Sequence, residues 1–367
     1  MIVQKGALFS ALKALVRVID HQPSIPALGH VRLEADGQQL VLDATDLTTY
    51  MRATVPCDGT LAACLLPGKS LLDFVKPSNA TDQKSPIEFQ PVEDGKVVVA
   101  DDGALVTLTS ALAEGFPLRP GDKLALRDWL AAGTWSAPQL ADALKWISMA
   151  VGTDTTRPAM TGVMFTPDEI VGLDGHRLHL IKMPGISGGP ALLPGSAIAT
   201  LLRVLPKSGE VSAERAKDFV RFRCATGDVQ WEIEAAAMTD LHYPPFRQVI
   251  PAEGTEAFST EVDREILLHA INRMLKPKGS SRGVRITVNG AIKLERDGDD
   301  GSTSRTVPVV STTHDGPDSV IGIDAGYLAD ALGGCSDAVI ARFNDAFGPI
   351  RIDIGEGQVA VIMPMRL

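Results

Sequence analysis

The sequence predicts an α+β fold built from three copies of one domain, each with two helices packed on antiparallel strands. Three observations carry this. Apolar residues recur at three- and four-residue steps in Lys5–Ile19, Ser136–Val151 and Glu261–Leu275, the stripe of an amphipathic helix. A glycine followed by strand-like alternation comes after each, at Gly29, Gly162 and Gly283. A second helical pattern follows, from Pro67, Pro194 and Ile323, and then a further strand group. Corresponding points repeat every ~120–135 residues, far beyond the ~20–50 of a solenoid, so the repeat unit is a domain.

The first stripe is Leu8, Leu12, Leu15 and Ile19; the second is Leu140, Leu144, Ile147 and Val151; the third is Ile266, Leu267, Ala270, Ile271 and Leu275. Ser136 with Gln139, and Thr260 before Glu261, read as helix starts. Ala35-Asp-Gly-Gln38 and Val288-Asn-Gly-Ala291 read as hairpin turns, which make the sheets antiparallel. Two Pro/Gly-rich charged stretches, Phe116–Asp128 and Tyr243–Glu256, fall just before a first helix, where linkers belong. The expected domains are therefore 1–127, 128–252 and 253–367.

The chain has 367 residues, 35 Lys+Arg against 45 Asp+Glu, and a formal charge of −10. Taken whole, that charge argues against a nucleic-acid binder. The start of the chain is interrupted by Lys5, Lys13 and Arg17 and does not read as a signal peptide, and no apolar run reaches the ~18 residues of a membrane span. Cys57, Cys64, Cys224 and Cys335 contain no CxxC, which excludes the common zinc spacings and gives no disulfide framework. No cofactor is expected, and a reducing cytoplasm is the expected compartment.

Two motifs tempt an enzymatic reading. Ala63-Cys-Leu-Leu-Pro-Gly-Lys-Ser70 fits a loose phosphate-binding loop, but Pro67 has no N–H to offer and the equivalent junction, Leu192–Ala197, has no lysine. A junction that recurs without its lysine reads as architecture. Asp174 and His176 could form a catalytic pair, yet no nucleophile context accompanies them, so a turn or a binding surface is the better reading. The final stretch, Val359–Leu367, is apolar with two methionines; it either completes the last sheet or forms a surface that receives a partner.

Charge is unevenly placed. The six helical segments (5–20, 67–77, 136–152, 194–207, 261–278, 323–334) hold 12 Lys+Arg and 8 Asp+Glu, a balance of +4, which leaves −14 for the remainder. If the helices share a face, that face is basic within an acidic shell.

The order of the repeats, Ile25-Pro-Ala-Leu-Gly29, Asp174-Gly-His-Arg-Leu178, Ser281-Arg-Gly-Val-Arg285 and the terminal Met363-Pro-Met-Arg-Leu367 together resemble the bacterial DNA polymerase III beta subunit, the beta sliding clamp family, over the whole chain. The resemblance implies a non-catalytic homodimer of three-domain subunits. These close head to tail into a ring that encircles double-stranded DNA without sequence specificity. It implies helices lining the hole, with Lys13, Arg17, Lys145, Arg203, Lys207 and Arg273 as the best DNA-facing candidates. It implies a pocket for short peptide motifs of DNA polymerase and clamp-loader subunits, using Met160, Leu173, Gly175, His176, Arg177, Leu178, Pro244, Val249, Val361, Met363, Pro364, Met365 and Arg366. The dimer contact would lie near Val106 and Leu108 on one side and Met274 and Leu275 on the other.

Some positions depart from the family pattern. Gln22, Gly195 and Ser196 are neutral where the family is often basic, and Pro158-Ala159 replaces an aromatic pair, leaving Arg157 near the expected pocket rim. These departures motivate an alternative, a specialised clamp paralogue or peptide-binding scaffold with weak DNA affinity. A nucleotide enzyme using Ala63–Ser70 is a third reading.

Overall fold

The computed structural model describes residues 1–19, 23, 25–123, 128–276, 282–298, 301–315, 319–334, 338–343, 347–355 and 357–366. Gln22, Lys278, Ser281 and Cys335 lie outside the described residues. In chain order the first stretch holds β1 (Ile2–Gln4), α1 (Lys5–Leu15), β2 (His30–Thr45), β3 (Thr49–Pro67), α2 (Gly68–Phe74), β4 (Pro86–Val92), β5 (Lys96–Asp101), β6 (Ala104–Thr109) and α3 (Pro120–Lys123). The second holds β7 (Leu130–Ser136), α4 (Ala137–Ser148), β8 (Gly162–Phe165), β9 (Glu169–Leu173), β10 (Arg177–Lys182), β11 (Ala191–Pro194), α5 (Gly195–Val204), β12 (Glu210–Ala216), β13 (Phe219–Thr226) and β14 (Val229–Ala236). The third holds β15 (Phe258–Asp263), α6 (Arg264–Met274), β16 (Gly283–Val288), β17 (Ala291–Gly298), β18 (Gly301–Pro308), β19 (Ser311–Thr312), β20 (Ser319–Asp324), α7 (Ala325–Ala331), β21 (Ala338–Phe343), β22 (Ile350–Asp353) and β23 (Gln358–Ile362). The α+β class and the antiparallel pairing follow the sequence.

The helices form where the stripes lie. Leu8, Leu12 and Leu15 of α1 and Leu140, Leu144 and Ile147 of α4 are fully buried. In the third stripe Ile266 is exposed and Met274 is buried instead. The reason is a later start. Thr260 and Glu261 are still in β15, paired with Ala341 and Ile340, and Asp263 caps α6 by accepting from the Ile266 N–H at 2.9 Å. A carboxylate there offsets the positive helix end and satisfies an orphan donor. Asp324 caps α7 likewise, accepting from the Gly326 and Tyr327 N–H groups.

One expected hairpin is a bulge. Ala35–Gln38 lies inside β2, with Asp36 opposite Thr60 and Gly37 opposite Gly59, and register shifts on either side. The turn comes at Asp46–Thr48, where the Asp46 carboxylate accepts from the Thr48 and Thr49 N–H groups and Leu47 takes a positive φ of 74°. The Asn289-Gly290 turn joins β16 to β17 as expected, with Gly290 at φ 65°. The Ala63–Ser70 stretch is no loop. Strand β3 runs straight into α2, and a Cβ on Gly68 would lie 2.6 Å from Ile19 Cδ1 and 2.9 Å from Val31 Cγ2. That glycine serves close packing of α2 on the turn after α1 and on β2.

The chain divides into two units, Met1–Ala141 with Ser196–Met238, and Asp142–Gly195 with Thr239–Leu367. The second repeat is thus shared between them, because its strands pair with both neighbours. In the first unit one sheet runs β6-β5-β4-β1-β3-β14-β13-β12-β7, with β2 paired to β3. In the second unit one sheet runs β11-β8-β9-β10-β23-β22-β21-β15-β19 and another β18-β17-β16-β20. Among the described residues no helix is long and apolar enough to cross a membrane.

The expected linker Phe116–Asp128 is anchored. Arg119 pairs with Glu232 at 2.9 Å, the Gly121 N–H donates to Glu234 Oε2 at 2.8 Å, and Glu234 also holds Arg221 at 2.8 Å. Arg221 lies 3.8 Å over the Trp129 ring. Arg119, Arg221 and Glu234 are all buried. Removing one partner strands the others away from water, so Glu234→Ala is expected to cost about 3–5 kcal/mol, read as a lower midpoint in urea unfolding. A change below about 1 kcal/mol would contradict this account of the anchor.

Candidate functional site

Two features of the second unit build a pocket. The first is the turn between β9 and β10. The Asp174 carboxylate accepts from the His176 and Arg177 N–H groups at 2.9 and 3.0 Å, and Gly175 takes φ 92°. An L side chain there would be strained and would crowd Arg157 Nη1 at 3.3 Å and Met160 Sδ at 3.7 Å. Asp174 is thereby committed to the backbone and to Arg177 Nε at 3.0 Å, and the catalytic pairing with His176 falls away. The second feature is β23, which pairs along β10 from Arg177↔Ile362 to Ile181↔Gln358. The Met363 N–H then donates to the His176 carbonyl at 2.8 Å, which brings the Met363 side chain to the turn.

Segment 243–250 forms the facing wall. Tyr243 packs on the buried cluster of Val171, Leu173, Leu178, Leu180, Val359 and Val361, as do Phe246 and Ile250. The Tyr243 hydroxyl donates to the Val171 carbonyl at 3.4 Å, and burial raises its pKa. Arg247 pairs with Glu169 at 2.7 Å. Between wall and turn lies a cavity of about 160 Å³ lined by Met160, Leu173, Gly175, Arg177, Leu178, Pro244, Pro245, Phe246, Gln248, Val249 and Met363.

Eight of the expected pocket residues therefore line one cavity. The other five do not. Val361 is buried beneath it, Pro364 is half-buried, and His176, Met365 and Arg366 are exposed beside it. The Met365 N–H donates to the Gly322 carbonyl at 2.8 Å, which carries the chain away from the pocket. Pro245, Phe246 and Gln248 were not anticipated, because their stretch reads as a linker. Its sequence signal was an aromatic beside two prolines, Tyr243-Pro-Pro-Phe246, apolar groups that a free linker does not need.

Arg177 is held in place. Its guanidinium bridges Asp174 and Asp330 and lies 4.3 Å over the Tyr327 ring, so the pocket turn is tied to α7. The site is an apolar floor with a few oriented polar groups, the pattern of a peptide or small-ligand pocket. The described residues lining it include no Ser, Cys, His, Asp or Glu. The Cys64 and Cys224 thiols, in the first unit, are pushed up to about 11 and about 12 by burial, which favours the protonated form. Among the described residues no His/Cys/Asp/Glu group is placed to hold a metal ion.

The cationic candidates all lie on helices or just beyond them. Lys13, Lys145, Arg203 and Arg273 occupy last helical turns, where a cation complements the negative helix end. Lys13, Arg17 and Arg203 come together around one cavity of the first unit. Lys145 spends part of its charge on Asp142 at 3.1 Å. Lys207 and Arg273 are exposed. Gly195 is neutral for a packing reason: a Cβ would lie 2.8 Å from the Thr161 carbonyl oxygen. Ser196 beside it is exposed. On the expected dimer contact, Val106 and Leu108 sit on β6, an end strand of its sheet. Met274 is buried within the chain and its carbonyl accepts from Arg296; the outer strand of that sheet is β18. Leu275 follows α6, half-buried.

Residues 1–120 match the profile of the DNA polymerase III beta subunit, N-terminal domain. The beta sliding clamp of Caulobacter vibrioides (strain NA1000 / CB15N) is 28% identical over 393 residues, which cover 100% of this chain and 99% of the relative. The chain is thus similar to the DNA polymerase III beta subunit family, through its first 120 residues by profile and along its whole length by its relatives. The beta sliding clamp of Pseudomonas aeruginosa is 24% identical, covering 100% of this chain and 99% of the relative. The fold of the chain matches the crystal structure of the Pseudomonas aeruginosa DNA polymerase III subunit beta with a TM-score of 0.86 at 23% identity, over 100% of both chains. It matches the Bacillus subtilis DNA polymerase sliding clamp with a TM-score of 0.87 at 19% identity, over 100% of this chain and 98% of that one.

Beneath the pocket, His179 stacks on Trp146, with centroids 4.3 Å apart, and its Nδ1–H donates to the Trp146 carbonyl at 2.8 Å. Nε2 is buried without a partner, and burial lowers the imidazole pKa to about 4. Folding therefore favours the neutral ring. Stability is fully present above about pH 6.5 and is lost as pH falls toward about 4, by roughly 3 kcal/mol at most. Denaturant unfolding at pH 7 and pH 4.5 should show this loss, and His179→Gln should remove that component. Equal pH dependence in both chains would contradict it.

Proposed function

We propose that this chain is a DNA sliding clamp. Two copies close head to tail around duplex DNA, and each tethers a polymerase through a short apolar peptide motif seated between Leu178, Val249 and Met363. The observation that carries the reading is the pairing of this pocket with full-length similarity to beta sliding clamps. A tether needs a concave apolar site whose geometry does not depend on its occupant. Here Asp174, Arg177 and the β10–β23 ladder hold the pocket's shape. The clamp loader would use the same pocket before the polymerase does.

The physics of the ring fits the chain. Open strand edges invite pairing, and a two-fold contact between β6 of one copy and β18 of the other would cover both. Sliding needs contacts that are attractive but carry no sequence information, and phosphate attraction to Lys13, Arg17, Arg203, Lys207 and Arg273 supplies them. Tethering raises polymerase concentration at the primer end without new chemistry. The alternative, a specialised clamp paralogue or peptide-binding scaffold with weak DNA affinity, is favoured by the neutral positions Gln22, Gly195 and Ser196, and the Lys145–Asp142 pair lessens the positive charge further.

Primer extension with polymerase, clamp loader and ATP tests the reading. The chain should lengthen products in a single binding event. Val249→Ala with Met363→Ala should weaken a polymerase-derived peptide at least about tenfold, on the order of 1.4 kcal/mol, and shorten products accordingly. Products no longer than those of polymerase alone would overturn the proposal.

A further inference from the structure

The cavity beside Val249 and Met363 holds about 160 Å³, below the ~300–1,000 Å³ of sites that bury a ligand. It seats a side-chain anchor and cannot bury a whole peptide motif. Behind its wall lies a second cavity of about 340 Å³, which falls within that range. Met164 of β8, Thr166 just after it and Pro190 just before β11 line the far side, and segment 243–248 lines the near side. Pro244, Pro245, Phe246 and Gln248 line both cavities. One stretch of chain thus divides two hollows. Met164, Thr166, Pro190 and Arg247 are not among the pocket residues that the family resemblance implies.

The dividing wall is braced from within. The Phe246 N–H donates to the Pro244 carbonyl at 2.7 Å, and the Gln248 N–H to the Pro245 carbonyl at 3.1 Å. The Tyr243 ring meets the Phe246 ring edge-on, with centroids 6.2 Å apart. Two polar groups of the second cavity are already spent. The Thr166 hydroxyl donates to the Glu169 carbonyl at 3.2 Å and accepts from the Glu169 N–H at 3.0 Å. The Tyr243 hydroxyl donates to the Val171 carbonyl. Arg247 differs. Among the described lining residues it alone is charged, and its side chain is 67% exposed. Its Nη2 donates to Glu169 at 2.7 Å, and a guanidinium has further N–H groups beyond that one. Glu169 lies on the buried side of the pair, at 8% exposure, so a second carboxylate meets Arg247 from the solvent side. The apolar hollow therefore ends in a cation with donors to spare.

We propose that the second cavity is a further peptide subsite. A large apolar side chain fills it, carried by the same partner segment that anchors in the first cavity, and an adjacent Asp or Glu pairs with Arg247. The subsite rests on the peptide-pocket reading and adds a specificity to it. A segment that crosses the exposed Pro245 keeps apolar contact from one hollow to the next. An acidic residue beyond the apolar one gains a charge-assisted bond, whereas a basic residue there meets like charge.

The test is calorimetric titration of synthetic peptides into the full chain. The parent is the polymerase-derived peptide used above. Four extended forms add Phe-Asp or Phe-Lys at one end or the other. One Phe-Asp form is expected to bind at least about tenfold tighter than the parent, and its Phe-Lys counterpart to lose most of that gain. In Arg247→Gln the ratio of extended to parent affinity should fall toward the Phe-Lys value; taking the ratio within one variant cancels any change in the wall that weakens both peptides. No gain from either extension, equal gain from Phe-Asp and Phe-Lys, or a gain retained in Arg247→Gln would overturn the subsite. Parent binding without a gain would refute the subsite alone. Absence of binding by parent and extended peptides alike would refute the pocket reading and the subsite with it.

Discussion

Strand pairing between repeats is the constraint on which the structure depends. In the first unit β14 of the second repeat pairs with β3 of the first, from Gln230↔Thr54 to Ala235↔Thr49. In the second unit β23 of the third repeat pairs with β10 of the second. Backbone N–H and C=O groups at a repeat's edge must be satisfied, and here a neighbouring repeat satisfies them. A sheet continued in this way resists bending at the boundary far better than a peptide linker. It also explains why the second repeat divides between two units instead of standing as one.

The pocket is a consequence of the same pairing. Leu178 and Val361 are opposite each other across β10 and β23, so the apolar floor is made from two repeats at once. Met363 reaches the rim because the strand before it is fixed in register, and the Asp174 turn is fixed because the strand after it is. Arg177 adds α7 to the frame through Asp330 and Tyr327. The cationic groups follow a different rule. They sit where helix ends favour positive charge, and Arg119, Arg221 and Arg52 are consumed by carboxylates within the first unit while Lys13, Arg17 and Arg203 are left open.

Much of this was legible from local pattern. Leu8, Leu12 and Leu15 predicted their helix face because a 3.6-residue period has one buried side. Asn289-Gly290 predicted its turn because the backbone there needs a positive φ. What was not legible depended on partners distant in sequence. Asp36-Gly37 carries the same turn chemistry as Asn289-Gly290, yet the pairing of β2 with β3 continues through it as a bulge. Ile266 reads as part of the third stripe, but it is exposed; Met274 is buried instead, and its carbonyl accepts from Arg296 of β17. Phe246 and Pro245 sit in a stretch with linker composition, and only the packing of Tyr243 on the β9–β10 cluster makes them a pocket wall.

The net charge of −10 carries less meaning than its placement. Arg52, Arg119 and Arg221 are paired with carboxylates, whereas Lys13, Arg17 and Arg203 stand around a cavity whose lining has no carboxylate. The account stands or falls on topology. The direct measurement is retention of the loaded protein on closed circular duplex, before and after a single cut, with clamp loader and ATP present. The account predicts a long-lived complex on the circle that is lost within the time needed to slide off a linear end. Equal retention on circular and linear DNA would contradict it.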